Sequence, residues 1–477
     1  MLRVLSFLFF YMAFFQSYAQ FSSAQKDSVL NVLGYGSSSY TLTVGFVPNN
    51  YKADEKPGPY EKLSEKEALA KVTNTYKDAA IYKYLCLDFY YVKRDMTQAE
   101  KYFNQALTSY DEWLEKEPTN VEPFLDVLGL LYGTKSYGML TKVLEESLNR
   151  FPKDKDVLGW AILLHLDLFK DFNKTQKYIN DLLALEPYNL TACTYQVMLY
   201  QYQYIIALNQ NQIPPKVDIS IAEKALQAKP KEIGYQHLYH FSKVLRAYMI
   251  AMNNFMKQAN GDITDYQKLF SSLNNDQIKE YKEAEKFFKS QYKKQKKARN
   301  NMLNSLGFVT MFLNKPKDAK KYYQMLYDET KEIGALESLI LINFIEKNWK
   351  ETERLLEFNI KEHNDIRGYT SLVSLYDKYD KNDTKKLETL KRLEQTSTSD
   401  ENKVTTLSTW YLKEKNIEKA TLYCDLLNPE TSEASWRKLA LAVLKDDIEN
   451  AKANLYRILL NAPNDKDALN IKTILNL

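Results

Sequence analysis

Two sets of residues recur along this chain of 477 residues at a nearly constant spacing, and this repetition limits the fold more than any other feature. Prolines form the first set, with steps of 34 or 35 residues in the N-terminal half and of 34 near the C-terminus: Pro118, Pro152, Pro187, then Pro429 and Pro463. Asparagines form the second set, with steps of 34 residues: Asn314, Asn348, Asn382 and Asn416. Such a period indicates a repeated pair of antiparallel helices, with a polar turn at the asparagine and a helix end at the proline. Neither helix can bury its apolar face alone, so neighbouring pairs must stack.

The composition favours helices throughout. Glycine and proline number only 13 each, which is roughly 5% of the chain where about 12% is usual. An all-β fold needs more turn-forming residues than this. Hydrophobic residues make up 45% of the chain, which is enough for a core. The formal net charge of +4 is close to neutral, so we expect neither nucleic acid nor an anionic membrane surface as a partner.

Residues 303–326 carry a spaced pattern of small and large side chains in addition to the period. Its positions are Leu303, Leu306 and Gly307 on the first helix, Asn314 at the turn, and Ala319, Tyr323 and Leu326 on the second helix. With this pattern the chain resembles the tetratricopeptide repeat (TPR) family, and in particular exported bacterial proteins of that family. The resemblance implies an all-α, tetratricopeptide-like α-solenoid of about ten antiparallel helix pairs over roughly residues 78–470. Thr352 and Thr384 stand where the family usually has alanine, so those two pairs are expected to be degenerate.

The first nineteen residues predict a secretory signal peptide. Arg3 supplies the positive charge, residues 4–15 form an apolar stretch, and Ser17 and Ala19 are small residues at the −3 and −1 positions of a cleavage site. The apolar stretch is shorter than the ~20 residues that span a bilayer. We therefore expect a mature chain without a transmembrane segment, secreted across the inner membrane and located in the periplasm or associated with the cell envelope.

The period also divides the rest of the chain. Residues 20–77 precede the array and predict an irregular N-terminal cap with a short helix over Ser28 to Leu33 and a short strand over Tyr40 to Val47. TPR-like repeats follow over residues 78–205 and again over 301–477. Between them, residues 206–300 predict an irregular helical middle segment, in which the stretch from Asp276 to Asn304 has the pattern of one long helix.

No pattern in the chain indicates catalysis, a cofactor or a metal centre. His237 and His240 are three residues apart and could share one helical face. No HExxH pattern accompanies them, and no carboxylate lies within one turn to complete a zinc site. Cys86, Cys193 and Cys424 are more than a hundred residues apart, so each is expected to be a small buried hydrophobe. We expect a protein that is not an enzyme, with no catalytic, cofactor or metal residues.

Tyrosine is used 36 times and is concentrated in the segment between residues 195 and 248. Most of these rings are expected to fill space between helices. Others could line the inner, concave face of a solenoid, where a rigid ring anchors a peptide or stacks on a sugar at low entropic cost. Tyr195, Tyr202 and Tyr239 are the candidate partner-binding residues.

A run of basic residues near residue 290 could contact an anionic partner, although a solvated helix face is the favoured interpretation. The run comprises Lys286, Lys289, Lys293, Lys294, Lys296, Lys297 and Arg299.

Two functions agree with these features. The first is an exported repeat scaffold that binds a protein or peptide partner through its concave face. The second is an outer-membrane-associated glycan-binding protein that resembles the tetratricopeptide proteins of starch utilisation. The missing lipid-attachment cysteine at the cleavage site and the missing large non-repeat domain disfavour the second function.

Overall fold

The computed structural model describes residues 21–33, 63–93, 95–209, 212–258, 273–296, 298–396, 400–429, 431–463 and 465–477. The secondary structure in these ranges is helical, with short connecting turns. The predicted strand over residues 40–47 and the predicted signal peptide lie outside the described residues. The chain forms two compact units. The N-terminal unit spans Val44–Ala319, and the C-terminal unit combines Lys320–Leu477 with Met1–Thr43.

Short helices precede the repeats. They are α1 (Ser23–Val32), α2 (Glu65–Leu69) and a single 3₁₀ turn over Tyr76–Asp78. The helix predicted over Ser28 to Leu33 is therefore present and begins earlier, at Ser23, because Ser22 caps it.

The N-terminal unit contains five helix pairs, and we call the first helix of a pair the A helix and the second the B helix. The pairs are α3 (Ala79–Asp88) with α4 (Met96–Lys116), α5 (Glu122–Gly133) with α6 (Tyr137–Arg150), α7 (Lys155–Leu163) with α8 (Phe172–Leu185), α9 (Leu190–Asn209) with α10 (Ser220–Ala228), and α11 (Ile233–Gln258) with α12 (Asn275–Gln291). Helices α13 (Arg299–Phe312) and α14 (Pro316–Thr330) follow, and α14 crosses the boundary between the two units.

The C-terminal unit continues with four pairs and a last helix. They are α15 (Ile333–Ile345) with α16 (Trp349–His363), α17 (Ile366–Ser374) with α18 (Asp383–Glu394), α19 (Glu401–Lys413) with α20 (Ile417–Asp425), α21 (Ser432–Leu444) with α22 (Ile448–Asn461), and α23 (Lys466–Leu475). Among the described residues, nine helix pairs thus lie within one unit or the other, which agrees with the predicted tetratricopeptide-like all-α array.

The turn between the A and B helices explains the repeated asparagines. Its first residue has a positive φ, and its second residue is the N-cap of the B helix. Asn382 and Asn416 are such N-caps, and their side-chain oxygens accept the backbone N–H of the residue three positions later at 3.1 Å. Asn314 instead has φ of 55° and precedes the N-cap, so it occupies the left-handed position that asparagine tolerates better than most residues. Asparagines at the regular spacing of 34 residues therefore have two different roles in the turn: N-cap of the B helix or residue with positive φ.

The repeated prolines end the B helices as predicted. Helices α4, α6, α8 and α22 each end one residue before a C-cap that is followed by a proline: Pro118, Pro152, Pro187 and Pro463. Proline cannot donate the backbone hydrogen bond that would continue the helix.

Small residues lie where the B helix presses against its neighbours. Ala319 and Ala451 are fully buried, and Thr352 is 1% exposed at the equivalent position, where its hydroxyl donates to the carbonyl of Asn348 at 3.0 Å. The placement of Thr384 was wrong, because this residue is exposed. The residue four positions after the N-cap is Lys386, whose amine pairs with two carboxylates at 2.7 and 3.0 Å instead of filling the contact.

The single long helix expected over Asp276 to Asn304 is two helices. α12 ends at Gln291, and α13 begins at Arg299. α12 buries Tyr281, Ala284 and Phe288 at helical spacing, but residues 293–296 offer only lysine and glutamine to continue that face. Without apolar side chains to bury, the helix ends.

Candidate partner-binding face

Three consecutive A helices of the N-terminal unit place aromatic and charged side chains at equivalent positions. Tyr132 lies on α5, Asp167 lies just after the end of α7, and Tyr202 lies on α9. Successive members of this set are 35 residues apart in sequence. Trp160 on α7 and Tyr195 on α9 are also 35 residues apart. Because the helices stack in register, a constant sequence step becomes a row of side chains across neighbouring helices. We call these five residues the aromatic face.

Asp167 is the polar centre of the aromatic face. The hydroxyl of Tyr132 donates to its Oδ2 at 3.3 Å, and the hydroxyl of Tyr202 donates to its Oδ1 at 3.4 Å. The amine of Lys170 lies 3.7 Å from Oδ1. These bonds are long and solvent-accessible, since the side chains of Asp167 and Lys170 are 47% and 51% exposed. The carboxylate can therefore exchange these partners for a ligand at little cost.

A π-helical turn over Leu164–Leu168 places Asp167 at this position. In five turns between A and B helices, the N–H of the B-helix N-cap bonds to the carbonyl five residues earlier, as Ser136 does with Leu131 at 2.9 Å. After the π turn, the N–H of Asp171 reaches six residues back, to His165, at 2.9 Å, and the π turns that follow α3 and α17 are bridged in the same way. The extra residue widens the end of α7, and π turns of this kind are frequent at functional sites.

The aromatic rings pack against one another by their edges. Tyr132 and Trp160 meet at a centroid distance of 5.9 Å and an interplanar angle of 67°. The amine of Lys170 lies 4.7 Å from the centre of the Tyr202 ring, which is within cation–π range. These contacts hold the rings in place before any ligand arrives, so binding would cost little side-chain entropy.

The four rings of the aromatic face are half-buried. Tyr195 and Tyr202 pack partly against the core cluster that includes Leu158, Ile162 and Leu199. Burial, together with the nearby carboxylate of Asp167, raises the pKa of Tyr202 above its usual range. The phenol therefore stays protonated and acts as a hydrogen-bond donor.

The structure brings two of the three predicted tyrosines together. Tyr195 and Tyr202 lie two turns apart on α9, within the aromatic face. Tyr239 lies on α11, where its ring contacts His240 at 5.4 Å and the amine of Lys243 at 5.4 Å. Sequence reasoning missed Tyr132, Trp160, Asp167 and Lys170. The steps of 35 residues among these positions were the signal that could have found them.

The pair of histidines considered as metal ligands lies in aromatic packing. His237 is fully buried, its Nε2 lies 2.8 Å from the hydroxyl of Ser305, and its ring lies 4.7 Å from that of Phe288. His240 stacks on Phe287 at 4.5 Å, and burial lowers its pKa to about 4. Within the residues that the structure describes, no group of three or more histidine, cysteine, aspartate or glutamate side chains could hold a metal ion.

The cysteines are buried in the core, and one residue of the basic run forms an ion pair within the fold. Cys86, Cys193 and Cys424 are buried, as expected, and burial raises their pKa to about 11, 12 and 12. One lysine of the basic run binds a buried carboxylate, because Glu285 accepts from Lys289 at 2.7 Å and also from Lys315 at 2.8 Å. No helix in the described ranges is long and apolar enough to cross a membrane.

Neither a family model nor a curated protein matches this chain. Among solved structures, yeast Tom70 is similar with 14% identity and a TM-score of 0.33, over 84% of this chain and 95% of that chain. An APC/C hetero-tetramer of Cut9 and Hcn1 is similar with 10% identity and a TM-score of 0.30, over 86% and 98%. Naa15/Naa10 bound to HypK-THB is similar with 13% identity and a TM-score of 0.24, over 83% and 66%. Similarity at this level bears on neither activity nor partner, and the helix pairing rests on the contacts of this chain itself.

Proposed function

We propose that this chain is an exported repeat scaffold without catalytic activity, and that it binds a protein partner through the aromatic face of its N-terminal unit. The observation that supports this proposal is a row of half-exposed aromatic rings around one exposed carboxylate, on three consecutive A helices. Large rings held by their neighbours are the side chains that most often carry the energy of a protein interface.

The chemistry of the aromatic face fits an extended peptide segment. Trp160, Tyr195 and Tyr202 offer ring surface for apolar side chains, while Asp167 can accept from a backbone N–H or from a lysine or arginine. Lys170, beside Asp167, can meet a carboxylate. Both charges are exposed, so they would contribute to orientation more than to affinity.

Export is the second part of the proposal and is supported by residues 1–19. Cleavage after Ala19 would leave Gln20 as the first residue. N-terminal sequencing of the protein from its native host is expected to begin at Gln20. A chain that begins at Met1 and fractionates with membranes would contradict the proposed localisation.

The binding proposal is tested with Trp160→Ala and Tyr202→Ala, using Tyr456→Ala as the matched control. Tyr456 lies on the B helix α22 and is 67% exposed, so it is also a large surface ring. We expect both aromatic-face variants to lose at least about tenfold in affinity for a partner captured from envelope extract, as anchor residues do. Tyr456→Ala should keep full affinity.

Thermal melting of the same variants separates binding from folding. A loss of affinity without a matching loss of melting temperature supports the aromatic face as a binding site. Equal affinity in all three variants would contradict it. Sugars can stack on the same rings, so affinity electrophoresis in polysaccharide gels is the companion measurement. Retardation that depends on Trp160 and Tyr202 would indicate that the ligand of the aromatic face is a glycan and not a protein.

A further inference from the structure

The N-terminal helix α1 lies on the last helices of the C-terminal unit, more than 400 residues away in sequence. The backbone N–H of Phe21 donates to Oδ1 of Asp446 at 2.8 Å, and the amine of Lys26 donates to Oδ2 of the same carboxylate at 2.8 Å. The side-chain amide of Gln25 donates to the carbonyl of Ile474 at 2.8 Å. These bonds fix the start of α1 to the turn before α22 and to the end of α23.

An apolar stripe on α1 completes the contact. Phe21, Val29, Leu30 and Leu33 are 0–8% exposed and join one core cluster with residues of α21 and α23, including Leu441 and Ile471. The opposite side of the helix is exposed at Ser23, Ala24 and Asn31. An amphipathic helix that buries one stripe in an apolar groove is a common form of peptide recognition.

α1 also carries its own start signal. The N–H of Gln25 donates to the hydroxyl of Ser22 at 3.2 Å, and the N–H of Ser22 donates to Oε1 of Gln25 at 2.8 Å. This capping box lies within four residues and needs no contact with the repeats. Helix formation thus depends on residues of α1 itself, whereas docking depends on its contacts with α21 and α23.

We propose that the surface of α21 and α23, together with Asp446, is a helix-acceptor site, and that α1 binds it as a separable ligand. The recognised pattern is an aromatic residue at the helix start, a cation five positions later and two adjacent aliphatic residues eight and nine positions after the aromatic one. Without a covering element, the apolar faces of α21 and α23 would be exposed to water. In this chain α1 provides that cover, and the peptide connection only raises its effective concentration.

The test uses the full chain with a protease site inserted between residues 34 and 62. After cleavage, the released N-terminal fragment is removed, a labelled peptide of residues 20–33 is titrated into the remaining protein, and fluorescence anisotropy is followed. We expect saturable binding with a Kd on the order of 10 μM, and much weaker binding to the uncut chain, whose site is already occupied. The Leu30→Ala peptide should bind at least about tenfold more weakly, and the Asn31→Ala peptide, changed on the exposed side, within about twofold.

Three results would overturn the proposal. The first is no saturable binding of the wild-type peptide up to about 1 mM. The second is equal binding of the Leu30→Ala and wild-type peptides. The third is loss of the helical circular dichroism signal on cleavage alone, because α1 would then be an inseparable part of the fold.

Discussion

The A helices of the two units include some that expose one side and some that are buried on every side. In the N-terminal unit, α5, α7 and α9 leave large rings half-exposed along one row. In the C-terminal unit, α19 is buried on every side from Lys403 to Leu412, including four threonine and serine residues. An A helix without an exposed side has nothing to offer a ligand. The contrast lies between helices and not between whole units, because α13 in the N-terminal unit is also buried from Asn301 to Phe312. Only A helices with open sides can contribute to a binding surface.

Their buried polar groups differ as well. The N-terminal unit encloses His165, His237 and His240 among aromatic rings. The C-terminal unit instead buries hydroxyl groups that bond within or between its A helices, such as Thr406 with Thr370 at 3.2 Å. Histidine titrates near neutral pH and threonine does not, so acid should affect the two units unequally.

The largest expected effect is the loss of a buried ring from the N-terminal unit. Phe288 is fully buried against His237, so Phe288→Ala should cost about 3–5 kcal/mol of unfolding free energy. Its neighbour Phe287 is partly exposed, and Phe287→Ala should cost clearly less. Hydrogen exchange resolved by segment should accelerate in α11 and α12 but not in α19 to α22. Equal acceleration in both units would show that they unfold as one.

A smaller effect in the opposite unit comes from overpacking. Ala451 is fully buried on α22, so Ala451→Leu should cost about 1–3 kcal/mol. Ala453 lies on the same helix and is exposed, which makes Ala453→Leu a control of equal size. Chemical denaturation measures both variants. An unchanged midpoint for Ala451→Leu would refute the helix register of this pair.

Acid provides the third comparison. Burial and, to a smaller extent, the nearby Lys243 lower the pKa of His240 from 6.5 to about 4, against an opposing effect of Glu283. The unfolded chain therefore takes up a proton near pH 6.5 while the folded chain does not. The stability that the neutral ring provides is complete above pH 6.5 and is lost as the pH falls toward 4.

Between pH 6.5 and 5.5 this loss should be about 1 kcal/mol for His240. It should appear as faster hydrogen exchange in α11 and α12, and His240→Gln should reduce the slope. An identical pH dependence in α19 to α22 would contradict the expected difference between the units.

The smallest effect tests whether ring or hydroxyl matters in the aromatic face. Tyr202→Phe removes a long bond to the exposed Asp167 but keeps the ring, so stability should change by less than about 0.5 kcal/mol. Partner affinity should stay close to that of the wild type. A loss as large as that of Tyr202→Ala would show that the partner recognises the hydroxyl.

The sequence allowed much of the fold to be predicted, because its signals are local. The asparagines Asn382 and Asn416, and the prolines after α4, α6, α8 and α22, act on the turn in which they stand. Thr384 was misplaced because no local signal marks the register of α18. The position that faces the neighbouring helices is two residues later, at Lys386. The contact of Phe21 with Asp446 spans 425 residues, and neither residue carries a pattern that indicates the other.

The candidate face was predictable only in part. Tyr195 and Tyr202 were found because tyrosines are dense on α9, whereas Trp160 and Asp167 stand alone in sequence. Their repeat step of 35 residues was visible, but the π turn that places Asp167 beside two hydroxyls was not. That turn depends on backbone bonds to Leu164 and His165, which no residue type specifies.

Site-specific photocrosslinking tests the central claim most directly. A photoreactive phenylalanine replaces Tyr202 in the aromatic face in one variant and Tyr456 on α22 in another, and both proteins are irradiated in cells of the native host. The account predicts that one protein becomes attached at position 202, that the same protein is lost when Trp160→Ala is added, and that position 456 does not yield it. The same adduct from both positions, or an adduct at 202 that survives Trp160→Ala, would contradict a binding site on the aromatic face.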